Sequence, residues 1–197
     1  MFKFPFREFS IRPLGELGRK QNVTRQSVIR KTTPKDFAQV LALYPKTFPK
    51  EELRPVVSAL LEEEAGVLSL AAFDEDALVA HVLFTICWTK GSDRTGALLA
   101  PLGVTPSHQR QGLGYSLVRA GLEQLEKKGV KQVFVLGDPA YYQRFGFSPE
   151  KQVLAPYPIA EEWAEAWQSL LLAAREPLDD GQLSLPEPWM DPALWGP

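Results

Sequence analysis

The segment 97–136 constrains the fold of this chain most, because its pattern predicts a strand, a glycine-containing loop, a long helix and a second strand. Residues 97–104 are almost entirely apolar, which is typical of a strand. The apolar stripe of the following helix, residues 112–128, consists of Leu113, Leu117, Val118, Leu122 and Leu125. Residues 131–136 predict a buried strand of the parallel type. This order predicts a βαβ-like unit.

The first of these two strands contains Pro101 and Gly103. Proline cannot donate to a ladder of hydrogen bonds, and glycine weakens a strand interior. We therefore expect a bulge or a splayed edge in this strand.

The segments before and after this unit predict further strands and helices. Residues 27–31 predict a short strand, and residues 67–73 and 77–88 predict an antiparallel hairpin. Helices are predicted from Thr33 to about Tyr44, where Pro45 disturbs the pattern, and over about 50–64. A strand near 150–156 and a helix or strand through 160–174 follow. The fold class is therefore mixed α/β, of the α+β kind.

The two ends differ in composition from the middle of the chain. Residues 1–26 hold six basic and two acidic side chains. They predict a flexible basic extension or an organelle transit peptide, and the acidic Glu8 and Glu16 favour the extension. Residues 176–197 are rich in proline and contain Trp189 and Trp195, which predicts an extended tail over the surface. We therefore predict one domain over residues 27–175 between these two segments.

Composition excludes several functional classes. The 22 basic and 24 acidic side chains give a net charge of -2, so no cationic field favours nucleic acid. No apolar stretch approaches the ~20 residues of a membrane span. Cys87 is the one cysteine, and the two histidines have no cluster of ligands around them, so we expect no metal. We expect a cytoplasmic protein that binds neither nucleic acid nor membranes.

The hexapeptide Gln109-Arg110-Gln111-Gly112-Leu113-Gly114 lies where a loop opens the long helix. Several free N–H groups can point at an anion there, and the two glycines let a phosphate approach the backbone. The patterns of P-loop nucleotidases and of Rossmann dinucleotide sites are absent. The segment predicts a phosphate site, or a glycine-softened helix start without a ligand.

A second motif follows at residues 137–147, Gly-Asp-Pro-Ala-Tyr-Tyr-Gln-Arg-Phe-Gly-Phe. Together, the two motifs resemble the acyl-CoA loop and the next motif of the GNAT acyltransferase superfamily. The second motif is similar to that of one bacterial branch of the superfamily. The resemblance covers about residues 28–175. It implies a mixed, mostly antiparallel central sheet with a splayed strand pair and helices on both faces.

The resemblance also implies roles for particular residues. The CoA pyrophosphate would be held in the loop formed by Gln109, Arg110, Gln111, Gly112, Leu113 and Gly114. The strand that carries Leu102 and Val104 would bind the pantetheine arm like an added strand. Tyr142 would protonate the leaving thiolate. Its neighbour Tyr141 would pack, because adjacent helical residues face different directions.

Three further residues keep a functional and a structural interpretation each. Asp138 is a candidate general base, or it caps the short helix that begins at Pro139. His81 acts as a base through water or binds substrate, or it is a buried histidine whose nitrogens are satisfied. Arg144 contacts the CoA phosphates or pairs with Asp138, or it is an exposed helical charge. The loop over residues 48–52 is expected at the rim of the acceptor pocket.

The resemblance implies an N-acyltransferase that uses acetyl-CoA as co-substrate. A primary amine would attack the thioester directly in a ternary complex. The acceptor would be a small-molecule amine or a protein amino group, and the enzyme would be a monomer or a homodimer. The alternatives are an acyl-CoA-binding sensor without turnover, or an interaction module that uses the tail.

Overall fold

The computed structural model describes residues 27–63, 66–172 and 176–195. The predicted extension over 1–26 and the predicted helix end at Glu64 lie outside the described residues. The helices are α1 (Phe37–Thr47), α2 (Arg54–Glu62), α3 (Leu113–Lys127) and α4 (Pro139–Tyr142). The strands are β1 (Val28–Lys31), β2 (Val67–Asp74), β3 (Ala77–Thr89), β4 (Gly96–Val104), β5 (Gln132–Leu136), β6 (Ser148–Pro149), β7 (Val153–Leu154), β8 (Trp167–Leu171) and β9 (Gly181–Ser184).

The strands form one mixed sheet in the order β1-β2-β3-β4-β5-β8-β6. The β4–β5 pair is parallel, and the other neighbouring pairs in this order are antiparallel. The parallel pair is joined by α3, as the apolar periodicity of 97–136 predicts. The sheet is thus mixed and mostly antiparallel, in agreement with the fold class expected from the sequence.

The strand β4 is both bulged and splayed. Its register against β3 shifts between Val82 and Phe84, where two residues of β4 oppose one of β3. On its other side, β4 pairs with β5 only from Gly96 to Leu98. Beyond Leu98 the two strands separate, because β4 follows β3 while β5 continues in its pairing with β8.

Helices cover both faces of the sheet, over two hydrophobic cores. One core holds α1, α2 and the C-terminal residues, with Leu98 and Phe134 from the sheet. The other holds α3 and α4 against inward side chains of β2 to β5. The α1 helix continues through Pro45, because only its last residues follow the proline and the Phe48 N–H still bonds the Tyr44 carbonyl at 2.8 Å.

The tail contributes to the first of these cores. Its strand β9 pairs with Trp88 and Thr89 of β3 and with β7. Trp189 and Trp195 are 5% and 3% exposed. The sequence predicts an extended chain over the surface, but the tail inserts these apolar side chains into the core. Its prolines separate short segments, and these segments reach the core.

No helix in the described parts of the chain is long and apolar enough to cross a membrane.

Candidate active site

The separation of β4 from β5 leaves one edge of β4 open. Val79 and Thr105 are hydrogen-bonded partners, with the Thr105 N–H donating to the Val79 carbonyl at 2.9 Å. Hydrogen bonding alternates along an antiparallel pair, so the polar groups of Gly103 point to β3 and those of Leu102 and Val104 point to the open side. An extended ligand can therefore add to β4 at this edge as a strand would.

The loop that follows β4 bends sharply onto α3. Arg110 and Gly112 have φ angles of +61° and +86°, which turn the backbone into the left-handed region. Two side chains hold the loop: the Gln109 amide donates to the Val104 carbonyl at 3.1 Å, and the Gln111 amide donates to the Ser107 carbonyl at 3.0 Å. Residues 109–112 are exposed. The loop is thus ordered by its own glutamines and open to solvent.

The first turn of α3 offers hydrogen-bond donors to an anion. The first bond of the helix joins the Ser116 N–H to the Gly112 carbonyl at 2.9 Å. The N–H groups of residues 113–115 therefore have no acceptor within the helix. Gly112 has no side chain to cap them, and the helix dipole favours negative charge there. The loop and the helix end together can hold a pyrophosphate.

Tyr141 links α4 to this helix end. A Cβ atom built on Gly114 would lie 2.6 Å from the Tyr141 hydroxyl, and 3.6 Å and 3.8 Å from the side chains of Val104 and Leu102. The open strand, the loop and α4 therefore meet at one point. The Arg144 guanidinium stacks 4.6 Å above the centre of the Tyr141 ring. Among the described residues, Arg144 forms no ion pair with Asp138.

Tyr142 lies beside the end of β5. Its side chain is 8% exposed, and its ring lies so close to Gly137 that a Cβ atom there would overlap it. Burial raises the pKa of Tyr142, and the neighbouring Tyr141 and Asp138 raise it further, so the hydroxyl stays protonated and able to donate. The Asp138 carboxylate accepts the Ala140 N–H at 2.8 Å, which is the capping interaction.

His81 lies inside the domain in a chain of hydrogen bonds. Its Nδ1 is 2.6 Å from the Tyr44 hydroxyl, and its Nε2 is 2.8 Å from the Ser69 hydroxyl. The Thr32 hydroxyl donates to the Ser69 hydroxyl at 2.5 Å. Burial lowers the pKa of His81 to about 3, so the ring is neutral. This placement favours the second interpretation of His81, a buried histidine with both nitrogens satisfied.

One acidic residue of the 48–52 loop differs from its surroundings in a way that the sequence does not signal. Glu51 is buried, and burial raises its pKa to about 7. Its neighbour Glu52 has the same chemistry but is exposed and paired with Arg54.

In the parts of the chain that the structure describes, no group of three His, Cys, Asp or Glu side chains could hold a metal ion.

Comparisons with known proteins point to one family. Residues 37–147 match the acetyltransferase (GNAT) family. The chain is 36% identical over 164 residues to the uncharacterized N-acetyltransferase YjhQ of Escherichia coli. The aligned residues cover 80% of this chain and 91% of YjhQ. It is 35% identical over 121 residues to YhbS of the same species, covering 61% of this chain and 72% of YhbS.

Two solved structures have the same fold and more than 25% sequence identity to this chain. The crystal structure of Escherichia coli YhbS in complex with CoA superposes with a TM-score of 0.75 and 28% identity, over 86% of this chain and 95% of that one. A GNAT family acetyltransferase from Brucella melitensis in complex with acetyl-CoA has a TM-score of 0.67 and 27% identity, over 83% and 98% of the two chains.

Proposed function

Because this chain belongs to the acetyltransferase (GNAT) family, we propose that it transfers an acetyl group from acetyl-CoA to a primary amine. The observation that carries the proposal is the open edge of β4 beside the donor-rich start of α3. The relatives whose structures hold CoA or acetyl-CoA support the choice of donor. The acceptor is a small-molecule amine or a protein amino group.

The residues of the open edge and the loop fit the acyl donor. The backbone groups of Leu102 and the Val104 carbonyl would bind the pantetheine arm, since no strand of the described residues pairs with them on that side. A carbonyl oxygen has two lone pairs, so that of Val104 can accept this bond beside the one from Gln109. The amides of Arg110, Gln111, Gly112, Leu113 and Gly114 would hold the pyrophosphate, with Gln109 bracing the loop. Arg144, stacked on Tyr141, would add positive charge near the phosphates.

The protein supplies position and proton transfer for a direct attack in a ternary complex. The Val104 N–H would stabilise the negative charge that develops on the thioester oxygen. Tyr142 would protonate the leaving thiolate. Asp138, as the cap of α4, would hold the helix that presents Tyr142. His81 would stabilise the interior beneath β4, since both of its nitrogens already have partners.

Thermal stability with four ligands tests the proposal. If acetyl-CoA binds with a dissociation constant of about 10 μM, 1 mM ligand stabilises the protein by ~2.7 kcal/mol. For a chain of this length that shift is roughly 5–10 °C. We expect this shift with acetyl-CoA and CoA and none with ATP or NAD. A panel of amines then separates the enzyme from a sensor, since a sensor would bind acetyl-CoA without releasing CoA. An absence of any shift with acetyl-CoA contradicts the proposal.

Replacing Tyr142 by phenylalanine should lower kcat by about 100-fold, because the thiolate would lose its proton donor. The buried ring would keep its packing, so the affinity for acetyl-CoA should stay the same. Release of CoA, followed in steady state with a thiol reagent, measures kcat, and titration calorimetry with acetyl-CoA measures the affinity. Tyr141→Phe on the same helix is the matched control, and its kcat should stay within about threefold of the wild-type value. Equal kcat values for the two variants would rule out the role of Tyr142.

Three assignments from the sequence stay predictions. These are the bacterial branch indicated by the motif at 137–147, the cytoplasmic location, and the monomeric or homodimeric state. The division at residues 26 and 175 is also a prediction, and the burial of Trp189 and Trp195 supports a domain that includes the tail.

A further inference from the structure

Glu51 is a buried acid, and one oxygen of its carboxyl group has no hydrogen-bond partner among the described residues. The residue is 9% exposed. Its Oε1 atom is shielded from solvent and accepts no hydrogen bond from any described residue. Glu52, the next residue, is about half exposed and forms an ion pair with Arg54. A buried polar group without a partner costs stability, so packing alone does not explain Glu51.

The position of Glu51 connects it to the open strand. It lies in the loop between α1 and α2, where its N–H donates to the Phe48 carbonyl at 3.1 Å. The Phe48 ring in turn lies 3.6 Å from the position of a Cβ atom on Gly103. Gly103 lies between Leu102 and Val104, the two residues whose backbone faces the open edge. The loop that carries Glu51 therefore packs on β4 through Phe48.

The core on the α1 and α2 side of the sheet is apolar. The partly buried side chains that pack against it include Phe48 of the loop and Ala100 and Leu136 of the sheet. Ala100 lies in the bulged part of β4, and Leu136 is the last residue of β5, so these two flank the separation of the strands. An acceptor that reaches the strands from the α1 and α2 side would pass apolar side chains. Of the two buried acids near these helices, Asp36 is paired with Arg30, and Glu51 has no ion pair among the described residues.

No charge in the neighbouring elements neutralises this acid. The charged side chains of those elements are Lys46 on α1, Lys50 and Glu52 in the loop, Arg54 and Glu62 on α2, and Glu187 in the tail segment that contacts α2. None of these forms an ion pair with Glu51 in the described chain. Burial raises the pKa of Glu51 to about 7, and a carboxyl group with that pKa can take up and release a proton near neutral pH.

We propose that the Glu51 carboxylate binds the ammonium group of the acceptor and takes up its proton, so that the acceptor is a cationic amine with an apolar body. This inference rests on the proposed function. In the step, one ammonium proton moves to Glu51 and leaves a neutral amine. The amine nitrogen bonds to the thioester carbonyl carbon, the carbon–sulfur bond breaks, and the thiolate takes a proton from Tyr142. The second nitrogen proton leaves to solvent as the amide forms. Tyr142 then regains a proton from solvent and Glu51 releases its proton to solvent, so that one proton is released in each turnover.

Steady-state kinetics with Glu51→Gln tests the inference. The acceptor panel contains tryptamine, phenethylamine and benzylamine, with ethanolamine and glycinamide as polar amines. We expect the wild type to prefer the amines with an apolar body. In Glu51→Gln, kcat/KM for the preferred amine should fall by about 100-fold, while the KM for acetyl-CoA stays the same. Glu52→Gln is the matched control, since it removes the same charge from the adjacent, exposed residue.

The pH profile separates a proton acceptor from a structural residue. In the wild type, kcat/KM for the amine should rise with pH through about 7, where Glu51 ionises. In Glu51→Gln this rise should move to the higher pH at which the amine itself loses its proton. Glu51→Asp, which keeps the carboxyl group one methylene shorter, should retain the profile near 7 with a reduced rate. It also provides the measurement if the glutamine variant does not fold.

The possible failures are distinguishable. If Glu51→Gln and Glu52→Gln have the same kcat/KM for the amine and the same pH profile, the inference is overturned and the proposed function stands. If the wild type releases CoA with none of the amines, or acetyl-CoA gives no thermal shift, the proposed function fails and the inference fails with it. A preference for the polar amines would contradict the apolar part of the inference.

Discussion

Replacing Gly112 by valine lowers the affinity for acetyl-CoA by about 1,000-fold if the loop after β4 holds the pyrophosphate. The backbone at Gly112 has φ +86°, which a β-branched residue avoids, so valine reorients the N–H groups of the loop. Its side chain would also project into the space that the phosphate needs. Losing two charge-assisted hydrogen bonds costs about 4 kcal/mol, which corresponds to the expected loss of affinity. Titration calorimetry with acetyl-CoA measures the effect.

Gly129→Val is the matched control for this variant. Gly129 lies just beyond the other end of α3 with φ +82°, and, as at Gly112, a Cβ atom there meets no atom within 4 Å. Both variants should therefore lose about 1–2 kcal/mol of folding stability from the same backbone strain. Only Gly112→Val should lose acetyl-CoA. If the two variants bind acetyl-CoA equally, the assignment of the loop is incorrect.

Replacing Trp189 by alanine destabilises the whole domain by about 3–5 kcal/mol, because a large buried side chain leaves a cavity. The Trp189 indole also donates to the Thr85 hydroxyl at 3.0 Å, inside a strand that is buried on both faces. The hydroxyl would lose that partner, which adds to the cost. In thermal denaturation the midpoint should fall by roughly 10 °C or more.

Trp88→Ala controls for the loss of a tryptophan as such. Trp88 lies on β3, the strand that bears Thr85, but is 42% exposed. Its replacement should change the unfolding free energy by less than about 1 kcal/mol. If Trp189→Ala, like Trp88→Ala, changes the unfolding free energy by less than about 1 kcal/mol, the tail only covers the surface. A cooperative loss of the whole fold in Trp189→Ala would instead make residues 176–195 part of the domain.

The local features of the site could be predicted from the sequence because each depends on a few adjacent residues. Proline and glycine weaken the pairing of a strand, so a bulge or a splayed edge in β4 could be predicted from Pro101 and Gly103. The glycines of residues 109–114 and the apolar stripe of α3 likewise define a loop and a helix start without knowledge of the rest. The fold class follows from the order of these elements.

The remaining features depend on contacts between distant parts of the chain. The strands β7 and β9 have two and four residues, which is too short for an alternating pattern to be recognised. Their existence depends on each other and on the end of β3. The burial of Glu51 has the same origin, since Glu51 and Glu52 are indistinguishable until the loop is packed. The partners of His81 come from 12 and 37 residues away.

The contact of Trp189 with Thr85 has a consequence for how the protein is made. The two residues are 104 positions apart in the chain, and Trp195 then donates to the Trp189 carbonyl at 2.8 Å. Because the chain is synthesised from its N-terminus, the sheet can form before the residues that complete its core have left the ribosome. During that interval the apolar side chains on the α1 and α2 face are open to other molecules. Docking of residues 176–195 therefore determines when the nascent domain stops being a target for chaperones and aggregation.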